Sequence, residues 1–166
     1  MLMSAYPLLF VLALIATALD GLLAGASLDQ SIKQLPARRR IGAIAYSAYA
    51  GAADLGAGIV WYAALGIGAA LLTIVAAIVA LVQSAPMSLA LPLYLAAAAS
   101  LAHSFTTSRA APIMLSQRQI AATAENEPKL AALLDRFARW QTVRVIIQVV
   151  TFGLMLWALA ALATSR

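Results

Sequence analysis

Apolar runs alternate with short polar segments along the whole chain, and several of these runs are long enough to cross a lipid bilayer. The first covers about residues 7–27. Roughly 20 residues at about 1.5 Å each span a hydrocarbon core about 30 Å thick. Runs at about 87–107 and 141–163 have similar lengths. The pattern therefore predicts an all-α integral membrane protein.

The stretch 41–82 contains Asp54 as its only charged residue and is long enough for one span or for two. With one span, the basic residues before and after it lie on the same side of the membrane; with two, they lie on opposite sides. Because cytoplasmic loops carry an excess of Lys and Arg, we favour one span, at about 55–82. The basic residues concerned are Lys33, Arg38, Arg39, Arg40, Arg109, Arg118, Lys129, Arg136 and Arg139.

The segments outside the spans predict two further features. Residues 29–40 are polar and contain Pro36, which predicts a loop. An amphipathic, interfacial helix is expected at about 37–53, where Tyr46 and Tyr49 suit the membrane boundary. This helix lies between the first and second spans.

The last span continues an amphipathic helix. Asn126, Glu127 and Pro128 resemble a helix start, with Asn126 as the capping residue. Apolar residues then recur at helical spacing and lead directly into the span at 141–163, namely Leu130, Leu133, Leu134, Phe137 and Trp140. We expect one transmembrane domain over 1–166, a four-helix bundle whose long last helix extends into the cytoplasm.

The composition supports a membrane protein and excludes several kinds of site. The chain is 64% hydrophobic and 10% charged, against about 45–50% and about 25% in soluble domains. It has no cysteine, which excludes disulfides, thiolate metal sites and cysteine nucleophiles. The net charge of +5 comes from basic residues in the loops, so it indicates topology rather than nucleic-acid binding. We expect a bacterial inner (plasma) membrane and both termini on the non-cytoplasmic side, where Arg166 is the only basic residue.

Ionisable residues within the spans are the main candidates for chemistry. Each costs at least about 2.5–3.5 kcal/mol at the bilayer centre unless it is paired or wetted. Asp20, Asp54, His103 and Arg144 all fall in the cytoplasmic half of the predicted bundle. Asp20 and Arg144 are expected to form an ion pair. That pair either joins the first and last helices as a structural contact or forms part of a functional pocket.

A polar stripe on the last span is expected to face the bundle interior. Gln141, Arg144, Gln148 and Thr151 share one helical face. His103 is either a structural histidine bonded to a backbone carbonyl or a proton donor and acceptor, since histidine titrates near neutral pH. We predict His103, Asp20 and Arg144 as catalytic residues. The predicted substrate-binding residues are Gln141, Gln148, Tyr46, Tyr49, Asp54, Trp61 and Tyr62.

No cofactor and no metal site are expected. With a single histidine, the only obvious ligand set is His103, Asp20 and Asp54. Nucleotide-binding, serine-hydrolase and zinc-protease motifs are absent from the sequence. The partners that we expect are membrane lipids, a small lipophilic ligand and, as an open alternative, further copies of the chain in a homo-oligomer.

The segment 28–42, Pro112 and the region of Arg144 resemble a broad family of small four-span membrane proteins. This family occurs in bacteria and fungi, is mostly of unknown function and includes the anthrone oxygenases of polyketide pathways. Its pattern has Pro-x-Asn after the third span, where this chain has Pro112, Ile113 and Met114. Three residues before the arginine of the last span it has a histidine, where this chain has Gln141.

The resemblance implies the oxidation of a flat phenolic ketone to a quinone by oxygen, without a cofactor. Such chemistry needs a base and a positive charge beside the developing oxyanion. His103 or Asp20 would act as the base and Arg144 as the oxyanion partner. The alternative is a non-enzymatic scaffold or accessory subunit whose intramembrane polar residues are structural.

Overall fold

The computed structural model describes residues 5–165, apart from the side chain of Ala57, so the prediction for Arg166 lies outside the described residues. The described chain is 92% helical and contains no strand, which confirms the all-α class. Six α-helices follow one another: α1 (Pro7–Asp29), α2 (Leu35–Ile41), α3 (Ala43–Ala52), α4 (Gly58–Val82), α5 (Met87–Ser116) and α6 (Glu127–Thr164).

Four helical segments of the described chain are apolar and long enough to cross a membrane: those formed by α1, α4, α5 and α6. The prediction of four helices that are long and apolar enough to span a membrane is therefore confirmed. It includes the assignment of a single membrane-spanning helix, α4, to the stretch 41–82, in which Asp54 is the only charged residue. A turn at Val82–Met87 connects α4 to α5, so the two helices run antiparallel.

The predicted loop at 29–40 is wrong, because this segment is helical. A π-helical turn at Gln30–Gln34 joins α1 directly to α2. Pro36 is the second residue of α2, directly after the π turn, and has no backbone N–H to donate to the preceding turn. The polar residues and the proline thus mark a change of helical register rather than a break.

The chain turns at Gly42, which separates α2 from α3 where one helix was predicted at about 37–53. Gly42 has φ 85° and ψ 161°, a conformation open almost only to glycine. We expect Gly42→Ala to lower the free energy of unfolding by about 1–2 kcal/mol, because alanine disfavours positive φ. Thermal unfolding in detergent measures this effect.

Gly153→Ala is the matched control for Gly42→Ala. Gly153 lies exposed in α6, and a Cβ atom there would meet nothing within 4 Å. Alanine is the better helix former by about 1 kcal/mol, so this variant should unfold at the same or a higher temperature. Equal destabilisation by both substitutions would contradict a strained turn at Gly42.

Helices α5 and α6 are both longer than the spans predicted for them. α5 continues through Pro112 to Ser116, because Ala110, Ile113 and Met114 pack in a buried cluster. α6 starts at Glu127 as expected, but the side chain of Asn126 donates to Ala121 O and Thr123 Oγ1 instead of capping the helix. At 38 residues, α6 is about 57 Å long, longer than a hydrocarbon core of about 30 Å.

Two apolar clusters fill the bundle, one towards each end. The first cluster contains Leu9, Leu93 and Met155 and lies near the termini. The second cluster contains Leu35, Tyr46, Leu130, Leu134 and Phe137 and lies where α2 and α3 pack beside α5 and α6. Between these clusters, each long helix carries buried polar side chains, and this layer holds the candidate site.

Candidate functional site

The polar layer is built from one or two turns of each long helix. Its members are buried or half-buried in the interior of the bundle: Asp20 on α1, Thr73 on α4, Ser100, His103 and Thr107 on α5, and Gln141, Arg144 and Gln148 on α6.

Antiparallel packing of α5 against α6 forms a continuous hydrogen-bonded chain. His103 and Thr107 are one turn apart on α5, and Arg144 and Gln148 are one turn apart on α6. Arg144 Nε donates to Thr107 Oγ1 at 3.1 Å, and Thr107 Oγ1 lies 3.2 Å from His103 Nε2. Gln148 Nε2 lies 2.7 Å from the same ring nitrogen. These hydrogen bonds therefore hold the four side chains in fixed positions relative to one another, from Arg144 through Thr107 and His103 to Gln148.

The guanidinium of Arg144 is held by neutral groups. Arg144 Nη1 donates to Gln141 Oε1 at 2.7 Å, and Gln141 Nε2 donates in turn to the carbonyl of Ser27 at 3.5 Å. Asp20 instead accepts a hydrogen bond from Thr73 Oγ1 at 3.0 Å. The two ion pairs among the described residues join Lys33 to Asp29 and Arg38 to Asp135. The predicted pairing of Asp20 with Arg144 is therefore wrong.

The register of α1 against α6 explains why that pair does not form. Thr17 contacts the carbonyl of Met155, and Gln141 contacts the carbonyl of Ser27. Interpolation between these two contacts sets Asp20 level with about residue 151 of α6, roughly 10 Å along the axis from Arg144. The predicted depths of Asp20 and Arg144 agree only to within about two helical turns, and this agreement is too coarse to show that their side chains touch.

A small polar cavity lies between Asp20 and His103. Its volume is about 10 Å³, which is room for about one water molecule. Three further polar side chains line this cavity: Gln148, Ser100 and Thr151. Gln148 is 3% exposed, and its Oε1 atom has no hydrogen-bond partner among the described residues. A single bound water suits this cavity, because a buried water needs two to four polar partners.

A larger pocket, of about 200 Å³, lies on the other side of Thr107. Its polar wall consists of Arg144, Thr107, Asp54, Gln30, Tyr62 and Ser27, and its apolar wall includes Phe137, Met114 and Leu55. Ile59 and Leu115 also line it and are 37% and 38% exposed, and Ala63 beside them is exposed as well. The pocket therefore opens sideways between the start of α4 and the end of α5, through an apolar rim.

Two π-helical turns border this pocket. Gln30 begins the first, and Asp54 lies in the second, Ala53–Ala57; Gln30 Nε2 donates to Asp54 Oδ2 at 2.9 Å. Arg118 donates to the carbonyl of Leu55, which also holds the second turn. Burial raises the pKa of the Asp54 carboxyl, and the hydrogen bond from Gln30 partly opposes this effect. Single π turns within α-helices occur frequently at functional sites.

The predicted site residues separate into distinct environments. Arg144, Asp54 and Tyr62 line the pocket, whereas His103, Asp20 and Gln148 line the small cavity. Gln141 lies behind Arg144 as its hydrogen-bond partner. The remaining three predicted residues line neither the pocket nor the small cavity. Tyr46 is buried in the second cluster, and Tyr49 and Trp61 are exposed.

Thr107, Gln30 and Phe137 belong to the site but were not predicted as site residues. Thr107 follows His103 by four residues and therefore shares its helical face, which is the signal that could have found it. No group of three His, Cys, Asp or Glu side chains able to hold a metal ion occurs in the part of the chain that the structure describes. Comparison of the chain with protein families, curated proteins and solved structures finds no match.

Proposed function

We propose that the protein binds a compact lipophilic molecule in the pocket beside Arg144. The observation that carries this proposal is a guanidinium, held by neutral partners, in the wall of a largely apolar pocket with an apolar opening. An arginine without a carboxylate partner is suited to bind a carbonyl or phenolate oxygen. Asp54 adds an acceptor for a ligand hydroxyl. The volume is below the roughly 300–1,000 Å³ of pockets for drug-sized ligands, which favours a small ring system.

The pocket belongs, in this proposal, to the cytoplasmic half of an inner-membrane protein. The pocket, α2 and α3 all lie in the same half of the bundle. Every Lys and Arg among the described residues lies in that half. Cytoplasmic segments are enriched in these residues, so both termini face the opposite side. α3 then lies at the cytoplasmic interface, and the first turns of α6 extend into the cytoplasm. A ligand enters from the lipid, between α4 and α5.

An oxygenase-like activity is the enzymatic form of this proposal. Through the family resemblance, the ligand is a phenolic ketone of the anthrone kind, and one O₂ converts it to a quinone with release of one water. Arg144 stabilises the oxyanion of the ionised ligand, and His103 lies one hydroxyl group behind it. Oxygen dissolves well in the lipid onto which the pocket opens.

A structural role is the second candidate, and one observation favours it. Asp20, His103 and Arg144 each have a side-chain hydrogen-bond partner on a neighbouring helix. Such satisfied contacts between helices are sufficient to hold a four-helix bundle together. The protein would then be a scaffold or an accessory subunit.

Native mass spectrometry with lipid extraction and absorbance scanning of the purified protein separates the two candidates. We expect a co-purifying aromatic molecule that Arg144→Ala loses. Arg109→Ala is the matched control, because Arg109 is exposed, contacts Phe105 and lines neither cavity. A protein free of ligand, whose Asp20→Asn and Arg144→Leu variants only unfold at lower temperature, would support the structural role instead.

A further inference from the structure

Thr107 lies between the pocket and His103, and its hydroxyl group contacts both Arg144 in the pocket wall and His103. The Nε–H of Arg144 can only donate, so Thr107 Oγ1 accepts the bond at 3.1 Å. The hydroxyl proton of Thr107 is then free for another acceptor, and His103 Nε2 lies 3.2 Å away. The contact with Arg144 leaves the hydroxyl proton of Thr107 available to His103, and we assign Thr107 as the donor and His103 Nε2 as the unprotonated ring nitrogen that accepts.

Gln148 is suited to both protonation states of His103. Its Nε2 amide lies 2.7 Å from His103 Nε2, so while that nitrogen is unprotonated the amide and the hydroxyl of Thr107 share its single lone pair. Its Oε1 is buried and has no partner among the described residues. If His103 gains a proton at Nε2, rotation of the amide by half a turn brings Oε1 into position to accept it. The unpartnered oxygen is thus the acceptor that a protonated His103 requires.

We propose that Thr107 and His103 form a proton relay for a ligand with an acidic hydroxyl group, a phenol or an enol, bound at Arg144. This inference rests on the proposed function and specifies its ligand class. The O–H bond of the ligand breaks, its proton passes to Thr107 Oγ1, and the proton of Thr107 passes to His103 Nε2. The ligand keeps the electron pair as an oxyanion beside Arg144, and nothing is oxidised or reduced. An aliphatic alcohol is too weak an acid for this transfer.

The charges around the relay are compatible with this transfer. Arg144 on α6 faces the new oxyanion, while Asp20 on α1 faces the new imidazolium across the water-sized cavity. Thr73 on α4 hydrogen-bonds Asp20 and carries no charge. Asp54, before α4, and Tyr62, on α4, are the remaining titratable groups in the pocket wall. The transfer keeps the total charge of the site constant, so the ionised ligand requires no proton exchange with bulk water.

The test uses 4-nitrophenol, whose phenolate is yellow, and 4-nitroanisole, which has the same ring but no acidic proton. Both are titrated into the purified protein below the pH at which free 4-nitrophenol ionises. We expect bound 4-nitrophenol to show the phenolate spectrum. Calorimetry in two buffers of different ionisation enthalpy should detect no proton released to the medium, because the proton stays on His103.

Two variants and a rescue identify the relay. Spectra are compared at saturation, so a change of affinity does not affect the readout. Thr107→Val keeps the side-chain shape without the hydroxyl, and His103→Gln keeps a polar side chain that accepts no proton. Each should lower the ratio of bound phenolate to bound phenol at least tenfold. Thr107→Ser should restore the phenolate spectrum, which a purely structural loss would not explain.

The two probes distinguish failure of the relay from failure of the proposed function. If 4-nitroanisole binds but 4-nitrophenol stays neutral in the unmodified protein, the relay is overturned and the pocket stands. An equal phenolate fraction in the unmodified protein, Thr107→Val and His103→Gln also overturns it, because Arg144 then suffices. If neither probe binds, both the relay and the proposed binding of small aromatic molecules are overturned.

Discussion

Phe137→Ala is expected to lower the free energy of unfolding by about 3–5 kcal/mol, the usual effect of removing a large buried aromatic side chain. Phe137 is 2% exposed and packs with Leu130 and Leu134 in the second apolar cluster, where α6 meets the chain around α3. It also lines the pocket, so its loss leaves a space that the surrounding helices cannot fill completely. Equilibrium unfolding in mixed detergent micelles measures the change.

Phe105→Ala is the matched control for Phe137→Ala. Phe105 is 57% exposed, and the guanidinium of Arg109 lies 5.2 Å from its ring centroid. Loss of an exposed cation–π contact is worth about 0.5–1 kcal/mol, so this variant should remain close to the unmodified protein. Similar losses for the two variants would mean that the second cluster is not tightly packed and does not support the pocket.

The bundle itself could be predicted from the sequence, because roughly 20 apolar residues in a row are sufficient to specify a membrane-crossing helix. The charge distribution then selected one span over two in the stretch 41–82. Helix ends were predicted less well. The sequence predicts a loop around Pro36 and an end of the third span at about residue 107. A π turn precedes Pro36 instead, and packing of Ile113 and Met114 extends α5 beyond Pro112. Both effects depend on neighbouring helices, which local sequence does not reveal.

The site could be predicted as a layer of polar residues but not as a set of contacts. The positions of Asp20, His103 and Arg144 within their spans follow from counting residues, since each residue adds about 1.5 Å. Predicting which side chains touch also requires the relative register and rotation of two neighbouring helices. An error of one or two turns in that register assigns a side chain to the wrong partner. Thr107 shows the same limit. Its neighbour Thr106 bonds the backbone carbonyl of His103, as helical threonines often do, whereas Thr107 bonds side chains.

Gly58→Ala is expected to destabilise the protein by about 1–3 kcal/mol and to weaken binding of 4-nitroanisole at least tenfold. A Cβ atom at Gly58 would lie 2.8 Å from the carbonyl oxygen of Ala53, a backbone atom that can move only if the turn moves. That turn carries Asp54 and Leu55 into the pocket wall, and Gly56 within it has non-helical dihedral angles. Overpacking against a backbone atom therefore acts on stability and on the pocket together.

Gly51→Ala separates this effect from the general preference of helices for alanine. Gly51 is exposed on α3, only seven residues earlier, and a Cβ atom there would meet nothing within 4 Å. Alanine should therefore raise stability by up to about 1 kcal/mol at this position and leave probe binding unchanged. We expect Gly58→Ala to lower stability and Gly51→Ala to raise it only if the π turn is a rigid wall of the pocket. Thermal unfolding measures the stability change, and titration of 4-nitroanisole measures the effect on binding. Stabilisation by both would mean that the turn adapts freely, and the pocket would then owe its shape to α5 and α6 alone.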